Sequence, residues 1–233
     1  MEWGSGNEFW TIKTASSTNE NLYFYFNSTT ARGFVNASNT SNTEMNFTGQ
    51  HTSISENSGI RDNIEEHVGL IVSSLGSYRN IQTEENTLNS VIEINEALPM
   101  IDLTNQRKDK KVFGVISDAE DSNTDRVYQA GAFCSPLIKI EGDDRITVNS
   151  LGEGGIWVCN INGNLFNGDY ITSCEVPGLG MLQEDDLLHN YTVAKITCDC
   201  DFDLNSTVYR CEEFQFNGET YKKAFVGCTY HCG

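Results

Sequence analysis

Turn signals recur every few residues between Asp143 and Asp203, in DDRITVNSLGEGGIWVCNINGNLFNGDYITSCEVPGLGMLQEDDLLHNYTVAKITCDCDFD. A stretch punctuated so closely leaves room only for short strands. β-branched or aromatic residues fill the intervals: Ile146 and Val148, Ile156 and Val158, Tyr170 and Ile171, then Val193 to Ile196. Such residues fit a pleated, half-buried surface. Between them, Asn162-Gly163 and Asn167-Gly168-Asp169 accept positive φ, and Pro177-Gly178 with Gly180 forces a tight turn. Short strands in this number satisfy their backbones in a compact antiparallel sandwich or barrel.

The rest of the chain agrees. Phe9 to Thr14, Leu22 to Phe26 and Ala31 to Val35 read as strands, the last two as a hairpin turned by Asn27 to Thr30. Leu22 to Phe26, LYFYF, sets Phe24 and Phe26 on one side and Tyr23 and Tyr25 on the other. A strand apolar on both sides needs cover on both, from the following domain or from another copy of the chain. Further strands are expected at His67 to Val72, Asn80 to Gln82, Val91 to Ile94, Ile101 to Leu103 and Val112 to Ser117, with Pro99 at a strand edge or turn. Only Glu184 to His189, EDDLLH, has helical spacing, enough for a turn or two. The expected fold is mainly β: a short β shaft or hairpin segment over 1–46, a sandwich- or barrel-like domain over 47–200, and a cysteine-rich closure over 201–233.

Charge narrows the partners. Lys and Arg number 15 against 33 Asp and Glu, a net charge of −18, which repels phosphate backbones and anionic membranes. Nucleic acid is not an expected partner. Nor is membrane insertion expected, since no run approaches the roughly 18 apolar residues a span needs. The amino terminus, MEWGSGNEFWTIK, lacks the basic and apolar regions of a secretory signal, so the six Asn-x-Ser/Thr triplets read as composition. The acidic loop with Asp118, Asp121 and Asp125 lacks the ligand order of a calcium loop. Asn105 to Lys111, NQRKDKK, reads as a solvated loop.

Four segments carry a family resemblance. VFGVIS at Val112 to Ser117, RITVNSLGEGGIWV at Arg145 to Val158, NGDYITSCEVPGLGM at Asn167 to Met181 and YTVAKI at Tyr191 to Ile196 together resemble the peptidase G2 domain. That domain is the intramolecular chaperone, often self-cleaving, at the carboxyl end of phage tail spikes and preneck appendages. TCDCDF at Thr197 to Phe202 and AFVGCTYHCG at Ala224 to Gly233 look like the versions in giant algal viruses, and LYFYF and NFTGQH (Asn46 to His51) are similar too. The resemblance spans residues 46 to 233. It implies a homotrimeric fibre or spike protein on a virion or appendage, made in the host cytoplasm, whose carboxyl domain aligns three chains so that the shaft can wind. A domain that trimerises first raises the effective concentration of slow-pairing shaft segments.

The resemblance also implies a self-cleavage junction. In the phage members this junction reads Ser-Asp with a Glu three residues after the Asp. Phe47 to Glu66, FTGQHTSISENSGIRDNIEE, contains no such run. Position puts the junction near Gln50 and His51; residue type points to Asp62 and Glu65, with Arg61 where the Ser would stand. His51 can move a proton at neutral pH, and Thr52 or Ser53 can attack a carbonyl. The other reading of His51 is an ordinary polar residue at a domain boundary.

All eight cysteines lie in the second half, five of them in the last 36 residues. Disulfides would staple the tail; free thiols suit a reducing compartment. Zinc is the one cofactor these cysteines could hold, with ligands drawn from Cys198, Cys200, Cys211, Cys228, His231 and Cys232, though CxC and CxxHC are not CxxC knuckles. The alternative to a chaperone is a receptor- or carbohydrate-binding fibre tip without catalysis, in which Trp157 or Tyr170 stacks on sugar rings or host-surface groups. Trp157 has core packing as its other reading.

Overall fold

The computed structural model describes residues 2–5, 8–14, 22–26, 30–35, 49–55, 57–79, 98–119, 125–130, 133–138 and 145–232, the strands before residue 36 and between 125 and 138 by their backbone. The chain forms two units. Met1–Phe47 and Asp121–Gly142 make the first; Thr48–Glu120 and Asp143–Gly233 make the second.

In chain order the strands begin with β1 (Glu2–Ser5), β2 (Glu8–Thr14), β3 (Leu22–Phe26), β4 (Thr30–Val35) and β5 (Gly49–Ser53). Two short helices follow, α1 (Ser58–Arg61) and α2 (Ile64–His67), then β6 (Ile71–Arg79), β7 (Leu98–Leu103), β8 (Val112–Ala119), β9 (Asp125–Ala130) and β10 (Phe133–Ile138). The remainder is β11 (Ile146–Cys159), β12 (Tyr170–Ser173), β13 (Gly180–Leu182), β14 (Thr192–Ile196), β15 (Arg210–Phe216) and β16 (Glu219–His231). The mainly β, barrel-containing fold expected from the sequence is the fold observed.

The first unit is one six-stranded sheet in the order β1-β2-β3-β4-β10-β9. LYFYF is β3, with β2 hydrogen-bonded along one edge and β4 along the other. Its register therefore puts apolar residues at positions of both sheet faces.

The second unit is organised on β11, which pairs with different neighbours in its two halves. Its second half closes a barrel: β11 pairs with β16, β16 with β14, β14 with β12, β12 with β13, and β13 returns to β11. Ile156, Val158, Ile171, Val193, Ala194, Ile196, Ala224 and Val226 fill it. The first half of β11 lies between β5 and β8. From β8 the sheet passes to β6 and β7. Ile54 then bridges Met100, its N–H donating to the Pro99 carbonyl (3.1 Å) and its own carbonyl accepting from Ile101 (2.9 Å). The pairing thus returns to the β5 segment, and a second ring shares β11 with the first. Ile60 of α1 packs with Val72, Ile101, Ile116, Ile146 and Val148 in its core.

Glycines explain how β11 stays continuous where the sequence suggested two strands. Leu151-Gly152-Glu153-Gly154-Gly155 pairs residue by residue with β16. A Cβ on Gly154 would overlap the Tyr230 ring and hydroxyl, and one on Gly155 the Phe225 ring. Aromatic rings from β16 occupy the space the glycines leave open.

Three local expectations change. His67 ends α2, and the strand expected from His67 begins only at Ile71, because Gly69 takes φ +89° and turns the chain. Pro99 lies inside β7, opposite the stretch where β6 slips register between Ser74 and Tyr78. EDDLLH makes bends rather than a helical turn. There the Asp185 carboxylate accepts from Leu187 N–H (3.0 Å) and the Gln183 amide donates to the Leu187 carbonyl (2.7 Å), local bonds that compete with a helix. The strands expected at Asn80 to Gln82 and Val91 to Ile94 lie outside the described residues.

Candidate functional site

His51 and Ser150 meet where β5 and β11 slip against each other. The register runs Asn149 opposite Gln50 and then Leu151 opposite Gly49, so Ser150 is the extra residue of a β-bulge. Bulges re-aim side chains and recur beside active sites. Here Ser150 Oγ stands 2.8 Å from His51 Nε2 and 3.2 Å from the carbonyl oxygen of Gly49. Ser150 is buried and His51 is exposed, with the Phe113 ring tilted against the imidazole at 5.5 Å. Beside them Asn149 Oδ1 is buried with no hydrogen-bond partner among the described residues, and an open buried acceptor is uncommon enough to mark a place.

The chemistry available is nucleophile and base. A serine hydroxyl attacks a carbonyl once a neighbouring imidazole accepts its proton, and the carbonyl that the Ser150 hydroxyl meets across the strands is that of Gly49. Gly49 is the second residue of the second unit.

Sequence reasoning reached half of this pair. His51 is in it; Gln50 contributes its backbone to the same ladder with its side chain exposed. Thr52 is exposed, and Ser53 is buried with its hydroxyl directed to the Ile146 carbonyl (3.4 Å). Asp62 and Glu65 lie elsewhere. Asp62 caps α1 and Glu65 sits in the first turn of α2, both exposed, and among the described residues no hydrogen bond or ion pair joins either to His51. Ser150 was missed because 99 residues separate it from His51, and only strand register brings them together.

Five of the six zinc-ligand candidates fall in or against one core cluster, and His231 lies on the other side of its strand. In β16, Ala224, Val226, Cys228 and Tyr230 face the core. His231 is on the other side of the strand, 3.3 Å from Thr229 Oγ1 and edge-on to Tyr170. Cys200, Cys228 and Cys232 are buried in the barrel core, with Cys198 and Cys211 packed against it. Burial pushes the Cys200 thiol up to about 11 and those of Cys228 and Cys232 up to about 12, which disfavours the thiolate a metal needs. Among the described residues no three His, Cys, Asp or Glu side chains are arranged to hold a metal ion. The seven described cysteines are free thiols; the side chain of Cys134 lies outside the described residues.

Trp157 is enclosed. Its Nε1–H donates to the Val68 carbonyl (3.2 Å), the Lys223 and Arg210 cations lie 4.9 and 5.1 Å from the ring, and Phe225 tilts against it at 5.3 Å. Tyr170 has Lys195 5.7 Å from its ring and His231 at its edge. Trp157 is buried and Tyr170 is half-buried. Comparison of the chain with protein-family models, curated proteins and solved structures finds no match.

Proposed function

We propose that the chain is a self-processing β-structural protein of a homotrimeric virion fibre or spike, in which Ser150, with His51 as base, cuts the bond between Gly49 and Gln50. The observation that carries this reading is one serine hydroxyl within reach of an imidazole nitrogen (2.8 Å) and of the Gly49 carbonyl oxygen (3.2 Å), to which it donates; turning that proton to His51 frees the hydroxyl oxygen for the carbonyl carbon. The Ser150 hydroxyl passes its proton to His51 and attacks the Gly49 carbonyl carbon. The carbon–nitrogen bond to Gln50 breaks, and His51 returns the proton to the departing amine. Water, activated by His51, then hydrolyses the Gly49–Ser150 ester, leaving a carboxylate on Gly49 and free Ser150. Among the described residues no carboxylate orients His51, so the cut is expected to be slow. A reaction that occurs once per chain, between groups already in place, tolerates that.

The sheet pairing gives the cut its purpose. β4 precedes the bond and β10 follows it, and the two pair through Val35 with Phe133 and Phe34 with Cys134. The amino-terminal piece therefore stays seated after the cut, free of its covalent tether. The two-sided apolar register of β3 needs cover on both faces, and this need supports the trimer. The full-length chain on a denaturing gel tests the processing: two bands are expected, and one band from wild-type protein contradicts it. Light scattering tests the assembly, where a monomer at micromolar concentration contradicts the trimer.

A further inference from the structure

We infer that Cys159 and Cys174 are a disulfide-forming pair that locks the seam of the barrel. This inference is independent of the self-processing reading. Their sulfur atoms are 3.6 Å apart, the one sulfur–sulfur contact among the described residues, and both side chains are fully buried.

Their position gives the pair its role. Around the barrel, β11 and β16 share nine register positions, whereas β11 and β13 share one, the parallel pair Val158–Gly180. That single pair is the thinnest joint in the ring. Cys159 follows Val158 directly, and Cys174 follows Ser173, which is the antiparallel partner of the same Gly180. Cys174 N–H donates to the Leu179 carbonyl (3.2 Å), anchoring it to the segment entering β13. A bond between the sulfurs therefore ties β11 to the β12–β13 hairpin where backbone pairing is sparsest. It also closes the stretch that carries the Gly163 and Gly168 turns, removing freedom mainly from the unfolded chain.

The two thiols are unequal. The contact with Cys174 holds the Cys159 thiol below its ordinary value, while that contact and burial raise that of Cys174. Cys174 Sγ–H donates to the Leu179 carbonyl (3.3 Å), which leaves Cys159 as the attacking sulfur. As thiolate it displaces one thiolate from an external disulfide such as oxidised glutathione, forming a mixed disulfide. Cys174, giving up its proton, then attacks the Cys159 sulfur and expels the second thiolate. Two protein thiols are oxidised and one external disulfide is reduced to two thiols. Because both sulfurs are buried in a cluster with Trp157, Val176, Leu179 and Met181, the bond forms as that cluster folds or opens.

The experiment is to refold the full chain in a mixture of reduced and oxidised glutathione, trap remaining thiols with iodoacetamide, digest and identify linked peptides by mass spectrometry. A Cys159–Cys174 crosslink is expected, with a melting temperature about 5 °C or more above that of the reduced protein. In Cys174→Ser, Cys159 should become alkylated and the rise should vanish. Recovery of folded wild-type protein with both cysteines alkylated, or with either linked to another cysteine, overturns the inference. The wild-type measurement decides it even if the variant does not fold.

Discussion

Tyr230 lies across Gly154, its hydroxyl donating to the carbonyl of Gly155 at 2.7 Å. β16 can run along β11 for nine positions because residue 154 has no side chain. Gly154→Ala would drive a methyl group into the far end of the tyrosine side chain, which must shift and give up its hydrogen bond to Gly155. We expect a loss of about 1–3 kcal/mol, read from urea denaturation. Tyr230→Phe keeps the ring and removes one hydrogen bond, so its cost should be smaller, about 1 kcal/mol.

Cys228 and His231 face opposite sides of β16, and their substitutions should separate accordingly. Cys228→Ser puts an extra hydroxyl into the apolar barrel core and should cost about 1–3 kcal/mol. His231→Ala, on the outer side, should stay within about 0.5 kcal/mol of wild type. A chelator added to native protein should leave the melting temperature unmoved. A fall comparable to the loss of a structural metal would reinstate the zinc arrangement.

Asp109 is the buried carboxylate of the second ring. Ser73 Oγ–H donates to it at 2.6 Å, Lys111 N–H at 3.0 Å and Thr104 Oγ1–H at 3.3 Å. Burial alone would raise its pKa, but the hydrogen bonds from Ser73 and the Lys111 amide outweigh burial and hold it below the ordinary carboxylate range. A carboxylate lowered in the folded state contributes stability that is present above its unfolded value, about 3.9, and is lost as pH falls through the folded value. Wild-type stability should therefore decline below about pH 4. Asp109→Asn should cost about 1–3 kcal/mol at neutral pH and flatten that decline, as followed by thermal melts between pH 2 and 7.

Much of the strand set was legible because its signal is local. LYFYF, VFGVIS and Val193 to Ile196 announce β3, β8 and β14 by composition alone. What depended on distant partners was not legible. β11 passes through its glycines because Phe225 and Tyr230 cover them from far along the chain. The ring closes at Val158 and Gly180 through one parallel pair, which no short-range pattern predicts. Which cysteines share a side was not legible either, since strand alternation and distant pairing decide it. At the candidate site His51 stood out as a titratable residue at an expected domain boundary. Its partner Ser150 sits in a bulge whose existence is a property of two strands together.

The most direct test of the account is the mass of the purified full-length chain under denaturing conditions, taken over time with and without hydroxylamine. Cleavage by Ser150 predicts fragments 1–49 and 50–233, a Gly49 hydroxamate when hydroxylamine traps the ester, and an uncut chain for both Ser150→Ala and His51→Ala. An uncut wild-type chain, a cut at any other bond, or a Ser150→Ala chain that cuts as wild type does would contradict it.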